Sequence, residues 1–161
     1  MLYIALILII IALILNQIIS SKNETIIIRT NDFTEYSKKD YVMTQTELKF
    51  YRELKKVTDK LQLSIFPQVK LDGLINVKSN RKATRNRIKS KSIDFTIVNN
   101  INCKIVCCIE LDDYTHNYKA RIKRDSFVND LFNYVGIKLH RIKVNNYYNL
   151  EELENMIKES L

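Results

Sequence analysis

The chain opens on an apolar run. Residues 2 to 15 read LYIALILIIIALIL; Asn16 and Gln17 interrupt them, Ile18 and Ile19 extend them, and the first charge is Lys22. At about 1.5 Å of helical rise per residue the run reaches about 27 Å, close to the thickness of bilayer hydrocarbon. A helix buried in a globular core would carry a polar stripe, and this one has none. The pattern predicts a transmembrane anchor over residues 1–20. Its main rival is a cleaved signal peptide, which requires a basic leader and a small-residue cleavage site. No Lys or Arg precedes the run, and Ser20-Ser21 matches such a site poorly. Lys22, Arg29, Lys38 and Lys39 follow it, so the positive-inside rule puts the rest of a single-pass membrane protein in the cytoplasm. Residues 21–43 read as a juxtamembrane linker with one apolar patch, Ile26 to Ile28, suited to a short strand.

From residue 44 to 161 the pattern is that of a folded domain. Thr44-Gln-Thr-Glu47 fits a capping box, after which Leu48, Tyr51, Leu54 and Leu61 recur at helical spacing. Ile65 to Leu71 reads as a short strand, and Pro67 assigns it to a sheet edge or near its own start. Residues 78–91 hold seven Lys or Arg and no acid, which predicts a loop or arm. Ser92 to Val98 alternates, with Ile93, Phe95 and Ile97 on one face and Asp94, Thr96 and Val98 on the other. Asn99 to Asn102 makes a turn, and Lys104 to Asp112 returns as the second strand of an antiparallel hairpin. A polar turn with His116 leads into a helix over Lys119 to Val135, whose buried side is Phe127, Val128, Leu131, Phe132 and Val135. Gly136 suits its C-terminal stop. Ile137 to Val144 is a last strand, and residues 149–160 form an acidic amphipathic helix. The order α-β-β-β-α-β-α implies a mixed sheet flanked by helices.

Composition narrows the class. The chain has 161 residues with 46% hydrophobic and 27% charged side chains, two Gly and one Pro, which excludes disordered, collagenous and Pro-rich chains. The formal charge of +8 sits wholly beyond residue 21, and a basic surface of that size favours polyanions, either nucleic acid or anionic lipid. Cys103, Cys107 and Cys108 match neither a disulfide framework nor a zinc site and read as reduced core residues.

Candidate chemistry lies in the hairpin. Glu110 and Asp112 are two apart on one strand and share a face; Asp94 is on the adjacent strand. Three converging carboxylates repel by several kcal/mol unless a cation or a retained proton intervenes. Oxygen-only ligands suit Mg²⁺ or Mn²⁺, and such an ion could hold a phosphodiester and activate water. Spacing leaves open the plainer alternative, with Asp112 and Asp113 as turn residues and Glu110 paired to Arg121 or Arg124.

Several stretches resemble the bacterial family known as domain of unknown function 2726. They are Thr44-x-x-Glu47-x-x-Phe50-Tyr51, Phe66-Pro-Gln-Val69, Ile93-Asp94-Phe95, Ile109-Glu-Leu-Asp-Asp113 with His116, Arg124-Asp125-x-Phe127, and Gly136-Ile137 with Arg141. The resemblance spans about residues 43 to 148. That family looks like a branch of the PD-(D/E)XK, or restriction-endonuclease-like, superfamily. It implies an α/β fold with an αβββαβ core, here joined to one N-terminal transmembrane helix, and metal-dependent nuclease ancestry with DNA as substrate. By the resemblance Asp94 is the acid of the second core strand, Glu110 opens the third-strand motif, and Glu47 is the acid of the first helix. Asp112 stands where the superfamily pattern has lysine. His116, Lys123, Arg124 and, more weakly, Lys70 are the candidates to supply the missing charge or proton.

The expectation is thus a membrane-anchored, metal-dependent nuclease acting on DNA. Asp94, Glu110 and Asp112 hold Mg²⁺ or Mn²⁺, and Glu47 and His116 assist. Arg81, Lys82, Arg85, Arg87, Lys89 and Lys91, with Arg121, Lys123 and Arg124, contact phosphates. The alternative is a catalytically silent module that binds nucleic acid or a partner at the membrane. In a third reading the basic arm binds anionic lipid.

Overall fold

The computed structural model describes residue 3 and residues 9–17, 33–79, 81–112 and 118–161; in the helix that begins at Tyr118, side chains are described from residue 126 onward. The chain divides into two compact units, Met1–Lys38 and Lys39–Leu161.

In the first unit residues 9–17 are helical, and residues 33–38 form neither helix nor strand. The expected membrane anchor is corrected here. Among the described residues no helix is long and apolar enough to cross a membrane. The described run 9–17 rises only about 14 Å, roughly half of the hydrocarbon thickness. The single-pass placement, and the cytoplasmic side assigned with it, lose their support. The patch Ile26 to Ile28 lies outside the described residues.

The second unit is a mixed α/β domain around a four-stranded sheet in the order β1-β2-β3-β4. Its elements are α1 (Gln45–Lys60), β1 (Leu63–Lys70), α2 (Leu71–Leu74), α3 (Lys82–Lys89), β2 (Ser92–Asn99), β3 (Ile105–Asp112), α4 (Tyr118–Val135), β4 (Leu139–Lys143) and α5 (Leu150–Lys158). Strands β1, β2 and β3 are antiparallel neighbours, and β4 joins β3 in parallel after the α4 crossover. Pro67, which has no N–H to donate, lies in the edge strand β1.

Local chemistry sets the boundaries. Thr44 Oγ1 accepts from the Glu47 N–H at 3.2 Å while the Glu47 carboxylate accepts from the Thr44 N–H, completing the capping box. Helix α1 buries Phe50, Leu54, Val57 and Thr58. That stripe is rotated from the one read in sequence: Leu48, Tyr51 and Leu61 are only partly buried, at its margins. At Gly136 (φ 74°) the N–H of Ile137 donates to Phe132 O and that of Gly136 to Asn133 O. These two bonds form a Schellman stop for α4, and the left-handed φ is what glycine supplies.

Two apolar clusters lie against the sheet. Phe50, Leu54, Phe95, Ile97, Cys107, Ile109, Leu153 and Ile157 tie α1 and α5 to one face. Leu71, Ile88, Ile93, Cys108, Val128 and Phe132 bring α2, α3 and α4 to the other. Ile93 therefore does not share a cluster with Phe95 and Ile97, as simple alternation predicts. The change falls beside Gln68 in β1, which has a left-handed φ of 53° between the pairs Pro67↔Phe95 and Val69↔Ile93.

Two further expectations are revised. Much of the basic segment is helical, not a loop: α3 is pinned by buried Ile88, and the Leu71 N–H donates to Lys91 O at 2.9 Å. Cys107 and Cys108 are buried, but Cys103 is exposed in the hairpin turn with φ 56°.

Candidate functional site: a carboxylate and cation cavity at the end of the sheet

The β2–β3 ladder runs from Val98↔Ile105 to Phe95↔Ile109. One step further, Asp94 takes over part of the backbone's work: its Oδ2 accepts from the Leu111 N–H at 2.8 Å. The carboxylate is thereby fixed at the strand end rather than left to sample rotamers. Extending the antiparallel register by one residue puts Glu110 opposite Asp94, and the parallel register pairs Glu110 with Arg141. Asp94, Glu110 and Arg141 then line one polar cavity of about 290 Å³ with Ser90, Lys91, Ser92 and Val128.

Glu47 and Gln68 tie α1 and β1 into this region. Gln68 Nε2 donates to Glu47 Oε1 at 2.8 Å and, more weakly, to Asp94 Oδ1 at 3.4 Å. Ser92 Oγ donates to Gln68 Oε1 at 3.4 Å. A non-glycine residue at positive φ carries strain of about 1–3 kcal/mol, and such positions cluster where function fixes geometry. At Gln68 the strained backbone serves an amide shared by two acids.

The electrostatics agree with crowding. Burial raises the Asp94 carboxyl above its usual range; the Leu111 N–H pulls it back, the negative charge of Glu47 raises it again, Gln68 lowers it, and Asp112 adds a smaller upward push.

Asp112 has a different setting. Its Oδ1 accepts from Arg141 Nη1 at 3.0 Å, and Arg141 Nε donates to Asn129 Oδ1 at 3.1 Å. Among the described residues no group of three or more His, Cys, Asp or Glu is arranged to hold a metal ion. The expected triple of Asp94, Glu110 and Asp112 is thus not assembled around one point. Two of its members share the cavity, and the third grips an arginine beside it. Two carboxylates still fit one small hard cation: Mg²⁺ is commonly held by one or two carboxylates, keeps several waters, and takes further oxygens from phosphate. The donor chemistry of Asp94 and Glu110 meets that requirement.

Of the other expected residues, Arg81, Lys82, Arg85, Arg87 and Lys89 are exposed on or next to α3. Arg87 stacks over Phe127 with its guanidinium carbon 4.2 Å from the ring centroid, and Lys91 Nζ lies 5.8 Å from the same centroid. His116 lies outside the described residues. Arg121, Lys123 and Arg124 belong to α4, but their side chains are outside the described set. Lys70 ends β1 and does not line the cavity. Gln68, Asn129 and Arg141 had no role assigned from sequence. Gln68 and Arg141 do fall in stretches that carry the resemblance, which was the available signal; Asn129 had none.

Fold and site together define a mixed α/β domain with an acid-and-base cavity at one end of its sheet. Residues 39–161 match the family described as "Protein of unknown function (DUF2726)", and the chain belongs to that family. No curated protein and no solved structure matches the chain.

Proposed function

We propose that the domain is a metal-dependent nuclease of the restriction-endonuclease-like, PD-(D/E)XK type, acting on DNA phosphodiesters. The observation that carries this reading is the joint lining of one polar cavity by Asp94, Glu110, Lys91 and Arg141. The succession α1, β1, β2, β3, α4, β4 supports it, since that is the core order the superfamily resemblance implies.

Asp94 and Glu110 are the residues that would hold Mg²⁺ or Mn²⁺. When bound, such an ion supplies Lewis-acid polarisation of phosphoryl oxygen and a more acidic water. The chain's own groups do the rest. The Leu111 N–H holds Asp94 in place. Lys91 and Arg141 offset the phosphate charge in a recess where screening is weaker than in open water. Helix α3 leads its basic residues away from Lys91, so backbone phosphates on either side of the reacting one meet Arg81, Lys82, Arg85 and Lys89 without base readout.

The test is plasmid nicking by the full chain with Mg²⁺ or Mn²⁺. Cleavage is expected in the wild type and lost in Glu110→Ala and in Asp94→Ala. Undiminished cleavage in both variants removes the proposed site. The second reading, a silent DNA-binding module, is favoured by one observation: Asp112 stands in an ion pair with Arg141 where the superfamily pattern has lysine. Salt-dependent DNA binding with no cleavage under any divalent cation selects it.

A further inference from the structure

Asp112 and Arg141 meet diagonally across the β3–β4 pair, whose register sets Arg141 beside Glu110 and Asp112 beside Lys143. Among the described residues, two points of Arg141's planar head are bonded: Nη1 donates to Asp112 at 3.0 Å and Nε to Asn129 on α4 at 3.1 Å. A free arginine side chain carries about 2 kcal/mol of rotamer entropy, which a ligand must overcome to use it. Two hydrogen bonds from different elements set the guanidinium plane before any ligand arrives. Arg141 lines the same cavity as Asp94 and Glu110. A guanidinium recognises a tetrahedral oxyanion through paired N–H groups, which a lysine does not reproduce.

We propose that Arg141 is the phosphate anchor of this site, and that Asp112 and Asn129 are positioning residues for it. Asp112 does not act as a metal ligand. This rests on the nuclease reading, and it names the group that holds the DNA phosphodiester against the Asp94–Glu110 pair. It also accounts for the acid in the motif: a carboxylate two residues beyond Glu110 reaches the neighbouring strand's arginine and aims it. Lysine at that position would repel Arg141 from the place it occupies. The competing structural view is that the Asp112–Arg141–Asn129 chain only ties α4 to the sheet.

Two titrations of the full chain separate these ideas, one with Mn²⁺ alone by calorimetry and one with a short fluorescein-labelled DNA duplex by anisotropy in Ca²⁺. Melting curves accompany both. Arg141→Ala and Arg141→Lys are each expected to weaken duplex binding by about 10- to 100-fold, the range for a lost charged hydrogen-bond pair. Asp112→Asn is expected to weaken it about 5- to 10-fold, and Asp112→Glu to recover most of it. Mn²⁺ affinity stays within about twofold of wild type in all four, since none removes a proposed ligand. A tenfold or larger loss of Mn²⁺ affinity in Asp112→Asn makes Asp112 a ligand and overturns the proposal. Duplex binding unchanged in Arg141→Lys and Arg141→Ala, with only the melting temperature lowered, leaves the structural tie and also overturns it. A wild type that binds the duplex yet neither binds Mn²⁺ nor cleaves overturns the nuclease reading; the arginine variants then still decide whether the anchor stands by itself.

Discussion

The two faces of the sheet are finished differently. On the α1 and α5 face the packing closes. The Phe50 ring meets Tyr148 edge-on at 4.8 Å and lies tilted against Phe95 at 5.4 Å, and all three side chains are buried. On the α4 face the apolar cluster is bordered by open space, and Val128 of that cluster also lines the polar cavity. The positive φ of Gln68 and the crowded carboxyl of Asp94 lie at the cavity's end of the sheet. One face holds the domain together; the other gives up some stability to keep charges in place. That division is the usual mark of a preorganised site.

The largest expected effect tests the closed face. Phe50→Ala removes the ring that joins Phe95 to Tyr148 and is expected to cost about 3–5 kcal/mol in urea denaturation. An equal loss from Glu110→Ala would abolish the contrast between the faces. Next comes a substitution of opposite sign. The Asp94 carboxyl is raised above its unfolded value, chiefly by burial. Its favourable contribution is therefore complete below the unfolded value of about 3.9 and is lost as pH rises through the higher folded value. At pH 7 Asp94→Asn is expected to raise the melting midpoint, measured without divalent cation, by about 2–4 °C, and to abolish the cleavage measured with Mg²⁺. The gain should fade toward acid. A lowered midpoint at pH 7 would mean that the Leu111 N–H bond outweighs the desolvation.

The smallest effect probes the margin of the closed face, where β4 meets the C-terminus. His140 Nε2 lies 3.0 Å from Ser160 Oγ, and the Lys138 ammonium donates to Glu159 O. Burial, then Lys138, holds the His140 pKa below its ordinary value, with Glu159 opposing. Protonation is thus easier in the unfolded chain, and the histidine's contribution is complete above about 6.5 and lost as pH falls through the lower folded value. The denaturation midpoint should fall from pH 7 to pH 5, less steeply in His140→Gln. Superimposable profiles would assign the slope to other groups.

What could be read in the sequence was what local chemistry decides. The capping box at Thr44, the stop at Gly136 and the strands of the hairpin are each encoded within a few residues. Asp94 and Glu110 also followed from strand alternation and register. The rest depends on partners distant in sequence. Arg141 reaches Asp112 only because β4 runs parallel to β3, and Asn129 reaches Arg141 only because α4 packs across both. Gln68 bridges Glu47 and Asp94 through a backbone conformation that no propensity favours. The apolar run at the N-terminus suggested a span, but hydropathy records only what a segment tolerates, and among the described residues no helix is long and apolar enough to cross a membrane.

The adjacent cysteines of β3 have a use that their burial creates. Cys107 packs in the α1 and α5 cluster and Cys108 in the α4 cluster. Burial pushes the Cys107 thiol up to about 11, against the pull of Ser160 and Lys138, and the Cys108 thiol up to about 12, with Thr96 opposing and the neighbouring Cys107 and Glu110 adding to the rise. The thiolate is the reactive form, so at neutral pH both are inert until their surroundings part. Cys103 is exposed and open to reagent without any opening of the fold. Pulsed alkylation read by mass spectrometry would therefore time the breathing of each face separately, with two clocks one residue apart and a third thiol marking zero. Where the site face is the softer of the two, Cys108 is modified first.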